Sequence, residues 1–159
     1  MVQERVDERQ IHSRMSRPSE QSYTEAHLLA VRNIAGQLFA FPTPEFPHLR
    51  TFVNEPETEQ KLFTNYGREL APDIVVLQWP EKLPSMVAEV VTPDMLTDAA
   101  AENWAILSRL DGVQFYLYVP AGFASQAKQI LKRAKIKDVK LRTWRNITGL
   151  KTIDVAAIR

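Results

Sequence analysis

A chain of 159 residues with 45% hydrophobic content is sized for one domain with a true core, and a formal net charge of +1 names no partner. The absence of cysteine excludes disulfides, thiolate metal sites and a cysteine nucleophile. No apolar run approaches the ~20 residues of a membrane span, and the N-terminus is too polar for a secretory signal, so the expectation is a cytoplasmic protein with no membrane partner.

Residues 1–21 are polar and mixed in charge, without an apolar stripe, and predict a flexible tail ahead of a single domain over 22–159. Ser22-Tyr23-Thr24-Glu25 fits a capping box, with Ser22 as N-cap and Glu25 reaching back to its amide. The helix that follows carries Leu28, Val31, Ile34, Ala35 and Leu38 on one face. Pro42, Pro44 and Pro47 end it and force an extended link. Leu49–Asn54 alternates as a first strand, and Asn54–Arg68 reads as loop. Ile74–Trp79 and Met86–Val91 are β-branched strands, with Pro80 and Pro84 in the turn between them. Thr92-Pro93-Asp94 prepares a helix over Leu96–Leu110, which Asp111-Gly112 ends. Gln114–Val119 is a strand, Ala124–Ala134 a basic helix, Val139–Trp144 a strand and Thr152–Ile158 a final one. The order predicts an α/β fold, a mixed central sheet of about five strands flanked by helices.

Two acids stand out in this order. Asp73 opens the Ile74–Trp79 strand, and Glu89 is embedded in Met86–Val91. A carboxylate inside so apolar a run is costly to bury unless it is paired or binds a metal. If the two strands are antiparallel neighbours, both carboxylates come to one end of the hairpin, where they can share a hard divalent cation.

Pro72-Asp73, fifteen intervening residues, then Glu89 resembles the PD-(D/E)XK signature of restriction-endonuclease-like nucleases, whose core runs helix-β-β-β-helix-β. More narrowly, Pro-Asp-Ile-Val-Val-Leu, Ala-Glu-Val-Val-Thr-Pro and Asp-Gly-Val-Gln-Phe-Tyr-Leu-Tyr-Val-Pro are similar to the Uma-type group of bacterial restriction-endonuclease-like proteins. The likeness covers about Thr24–Pro120. It implies that Asp73 and Glu89 hold Mg²⁺ or Mn²⁺ for phosphodiester hydrolysis, with a lysine to position or activate the attacking water. That lysine is missing: Val91 stands two places after the Glu. Counting to the helical position that the Uma-type group uses lands on Asn103, predicted to share a face with Ala99, Ala100, Ile106, Leu107 and Leu110 and to point at the sheet. The likeness also suggests Glu25 as an extra acid, for which the capping box is the plainer reading.

From Gln126 to Lys151 the local net charge is +8, which leaves −7 elsewhere. Lys128, Lys132 and Lys135 would share one helix face and could track a phosphate backbone; a solvated face is the alternative. His12, His27 and His48 show no ligand spacing. The five glycines form no phosphate loop or nucleotide fingerprint, and no nucleophile elbow occurs. Three readings stay open: a metal-dependent nuclease acting on nucleic acid, a catalytically silent binding module on the same fold, and a subunit that needs a homodimer or a partner to complete its site.

Overall fold

A β-branched run that is apolar at every position belongs in the middle of a sheet covered on both faces. Residues 74–77 form such a run, and the computed structural model, which describes residues 20–146 and 153–157, places it inside a six-stranded sheet. The strands are β1 (Leu49–Val53), β2 (Leu62–Phe63), β3 (Glu69–Leu70), β4 (Ile74–Gln78), β5 (Leu83–Val90), β6 (Gln114–Pro120), β7 (Lys140–Asn146) and β8 (Ile153–Ala157); the helices are α1 (Glu20–Leu38), α2 (Asp98–Ser108) and α3 (Ala124–Arg133). The sheet order is β1-β4-β5-β6-β7-β8. Neighbours β1/β4, β4/β5 and β7/β8 are antiparallel, while β5/β6 and β6/β7 are parallel. The class is therefore α/β with a mixed sheet of six strands, where about five were expected.

Strand alternation sorts the core into two layers. Ile74, Val76, Ala88, Val90 and Tyr118 face α1, which buries Ala30, Val31, Ile34 and Ala35 against them. Val75, Leu77, Val87, Phe115, Leu117 and Val119 face α2 and α3, which contribute Ala101, Trp104, Leu107, Ala127 and Ile130.

Three local expectations change. Glu20, Gln21 and Ser22 belong to α1, so Ser22 does not cap it; serine costs little inside a helix, and the packed stripe below it, not the cap, carries α1. The rest of the expected tail, residues 1–19, lies outside the described residues. The stretch expected to be loop contains β2, which pairs with β3 just beyond it as a two-stranded ribbon, because Leu62 and Leu70 are opposite one another and both buried. Finally, β5 begins at Leu83, where the expected turn was, with Pro84 opposite Leu77 beside an irregularity at Val76/Leu77 that accommodates it.

Candidate metal centre

Three segments distant in sequence converge where β4 begins and β5 ends. The register pairs Ile74 with Ala88, which carries Asp73 opposite Glu89. The Asp73 N–H donates to Glu89 Oε1 at 3.0 Å. The Val90 N–H donates to Asp73 Oδ2 at 2.8 Å, and His27 Nε2 lies 3.2 Å from the same oxygen. By strand parity Asp73 would follow Val75 towards α2. The chain bends at Asp73 instead, and its carboxylate reaches the helix on the opposite layer.

His27 comes from α1. With Ala30, Val31 and Ile34 it forms an i, i+3, i+4, i+7 stripe, and like them it is buried. Its Nδ1 lies 3.9 Å from Glu55 Oε1. Glu55 follows β1 and is held by its neighbour Asn54, one of the few buried polar side chains. The Asn54 amide nitrogen donates to the carbonyls of Gln60 and Pro72 at 2.9 and 2.6 Å. Its Oδ1 accepts from the N–H groups of Glu59 and Gln60 at 2.8 Å each. Asn54 thus ties the loop bearing Glu55 to the segment bearing Asp73. Asn54→Ala removes four hydrogen bonds at about 1 kcal/mol each and is expected to cost roughly 2–4 kcal/mol, read as a lower urea midpoint at unchanged slope.

Among the described residues, His27, Glu55 and Asp73 form the one group of three histidine or carboxylate side chains whose ligand atoms all lie within 4.8 Å of one another. Such a group could hold a metal ion. The electrostatics fit a cation. Burial, and then the charges of Asp73 and Glu55, push the Glu89 carboxyl well above its ordinary range, against the hydrogen bond from Asp73 N–H. Burial also raises Glu55, with Asp73 adding to it and His27 opposing. For His27, burial disfavours the imidazolium, but the hydrogen bond and charge of Asp73, helped by Glu55, outweigh it and raise the pKa. No lysine or arginine pairs with any of these acids among the described residues. A divalent cation would relieve this crowding of negative charge.

No family model, curated protein or solved structure matches the chain.

The other predicted site residues lie elsewhere. Asn103 is exposed, with Arg68 Nη2 donating to its Oδ1 at 2.7 Å. The expectation that it points at the sheet fails because α2 buries Ala101, Trp104 and Leu107; indole burial sets the helix rotation, and Asn103 follows it outwards. Val91 is buried among the residues facing α2 and α3. Glu25 is exposed on α1, outside the group around Asp73. Lys128 and Lys132 are exposed on α3, but the helix ends at Arg133 and Lys135 sits beyond it at φ 58°, so the three do not share one helix face. They do border one hollow of about 560 Å³ with Lys137, over Leu131 and Ile136. Because α3 returns from the end of β6 to the start of β7, this hollow lies towards the sheet end opposite Asp73 and Glu89. His27 and Glu55 were not singled out from sequence. The available signal for His27 was its place on the apolar stripe of α1; Glu55 had none.

Proposed function

We propose that this chain is a divalent-cation-dependent nuclease of the PD-(D/E)XK type, with its centre at Asp73, Glu89, His27 and Glu55. One observation carries the reading: Asp73 and Glu89 oppose each other at the open end of an antiparallel pair, and among the described residues their charges are met by no basic side chain except His27. The helix-β-β-β-helix-β order of the PD-(D/E)XK core is compatible with the element order, once the small ribbon β2/β3 is set aside as an insertion.

Asp73, Glu55 and His27, with Glu89 alongside, would hold the ion. Oxygen donors with a single imidazole suit Mn²⁺ or Mg²⁺, Mn²⁺ accepting the nitrogen more readily. When bound, such an ion supplies Lewis-acid charge against a phosphoryl oxygen and lowers the pKa of water. The protein's own part is orientation. The Val90 N–H fixes one Asp73 oxygen, His27 meets that same oxygen, and the Asp73 N–H fixes one Glu89 oxygen. The family's lysine has no counterpart, since Val91 is in the core and Asn103 faces solvent. A charged water-positioning group contributes roughly 10²–10⁴-fold, so cleavage is expected to be slow by that order. This same gap favours a second reading, a metal-stabilised module that binds nucleic acid without cutting it.

The test measures melting temperature against Mn²⁺ and Mg²⁺, then assays labelled single- and double-stranded DNA and RNA in millimolar metal, with Glu89→Gln as control. Nuclease function predicts a metal-dependent rise in melting temperature, and slow cleavage that Glu89→Gln abolishes. A metal response without cleavage of any of the four substrates selects the binding module. No metal response at all overturns both.

A further inference from the structure

Large aromatic side chains with over two thirds of their surface in water are unusual on a protein that has a core to receive them. Phe63 is 72% exposed and Tyr66 is 71% exposed, and both belong to the β2/β3 hairpin. Their exposure is built into the ribbon. Leu62 and Leu70 pair across it and point into the core, so the next residues along, Phe63 and Glu69, must point out. The tip is closed rather than loose: the Thr64 N–H donates to the Arg68 carbonyl at 2.8 Å, and the Gly67 N–H donates to the Thr64 carbonyl at 3.0 Å. The Arg68 N–H also donates to Thr64 Oγ1 at 2.9 Å. Gly67, at φ 83°, supplies the left-handed turn. Two rings are thus presented at little further entropic cost.

Beside them lies a groove of about 470 Å³, lined by Phe63, Thr64, Asn65, Tyr66, Arg109 and Asp111 over an apolar floor from the end of α2 and the approach to β6. Lys61 on the same hairpin is paired with Glu69. Neither Arg68 nor Arg109 forms an ion pair among the described residues, and the Arg68 guanidinium meets only the neutral Asn103 amide.

We propose that the Phe63/Tyr66 hairpin tip and its groove dock the unpaired bases of single-stranded nucleic acid. The rings supply stacking faces, which every base can use once it is unpaired. Arg68 and Arg109 face phosphates. Asn65 offers both donor and acceptor to a base edge, and Asp111, the one acid in the groove, suits an exocyclic amine. A duplex hides its base faces in the stack and cannot use the rings. The hairpin leads into β4: its groove borders Pro84 at the start of β5, and Tyr66 is seven residues before Asp73, a span of at most about 25 Å. The inference rests on the nuclease reading for its ligand class and names the form of nucleic acid that the site would meet.

The experiment is fluorescence anisotropy in EDTA with labelled oligothymidylate and a mixed-sequence single-stranded RNA, against a duplex of equal length. Wild type is expected to bind the single strands at least about tenfold tighter than the duplex. Phe63→Ala/Tyr66→Ala should weaken single-strand binding by about tenfold or more per ring, with melting temperature and its response to Mn²⁺ unchanged, since both rings are in water. Arg109→Gln, in a background with both rings intact, should lower the salt slope for single strands by about 0.7. Single-strand affinity that survives loss of both rings overturns the proposal. So does equal or absent binding of both strand forms by wild type, or sedimentation showing a dimer that the double variant dissolves. Ring-dependent binding in a protein without any Mn²⁺ response removes the metal centre and leaves the docking surface; the reverse removes the docking surface alone.

Discussion

Asp73→Asn is expected to fold and to lose the metal centre. The amide oxygen can still accept the Val90 N–H that now bonds Asp73 Oδ2, so no buried donor is stranded. What disappears is the negative charge that would bind the ion and that faces His27 at 3.2 Å. Removing a mere partner of a metal ligand typically costs about 10–100-fold in affinity, and a ligand itself should cost on the order of 10²-fold or more. The melting curve of Asp73→Asn in Mn²⁺ should therefore overlie its curve in EDTA, and any cleavage should fall below detection. Asp73→Ala is the poorer experiment, because it also leaves the Val90 N–H buried without an acceptor, at about 1–3 kcal/mol. A Mn²⁺ response retained at full size in Asp73→Asn would place the ion elsewhere.

The metal-free protein is expected to lose stability as pH rises, the reverse of ordinary acid denaturation. Glu89 has its pKa raised on folding, by burial first and then by Asp73. A group whose folded pKa exceeds its unfolded one stabilises fully below the unfolded value and loses that contribution as pH climbs through the folded value. For Glu89 the decline starts above its ordinary 4.5. His27 has the same sign, its decline starting above 6.5, and Glu55 runs in parallel. Melting temperature in EDTA should then fall by several degrees from about pH 5 to pH 8, at roughly 2–4 °C per kcal/mol for a chain of this size. Glu89→Gln should flatten most of the slope, and His27→Gln the part above pH 6.5. Metal binding expels protons from its ligands, so the stabilisation by Mn²⁺ should grow over the same range. A pH-independent melting temperature in EDTA would mean that the acids are not crowded as described.

The same cluster explains why the sheet can end in acids at all. Each carboxylate uses a backbone N–H of the neighbouring strand, Val90 for Asp73 and Asp73 for Glu89, and these bonds offset part of the cost of burial. The remainder is offset by no basic side chain except His27 among the described residues, and it shows as the raised Glu89 and Glu55 carboxyls.

Local sequence determined most of the elements. β-Branched runs are strands wherever they can be covered, the apolar stripe of α1 is legible in 3.6-residue steps, and a short turn between two such strands makes them antiparallel neighbours. The meeting of Asp73 and Glu89 follows from that hairpin, because sixteen residues and one tight connection leave little freedom in register. Tertiary structure decided the rest. His27 is 46 residues from Asp73 and arrives only because α1 packs across β4 and β5, while Glu55 arrives because β1 pairs with β4 and Asn54 ties its loop to Pro72. The outward turn of Asn103 was settled by Trp104, whose burial is worth more than that of an amide, and the exposure of Phe63 by Leu62 and Leu70, which had to point inwards. Each of these depends on which face of an element finds a partner. That is a long-range competition for buried area, and no window of neighbouring residues contains its outcome.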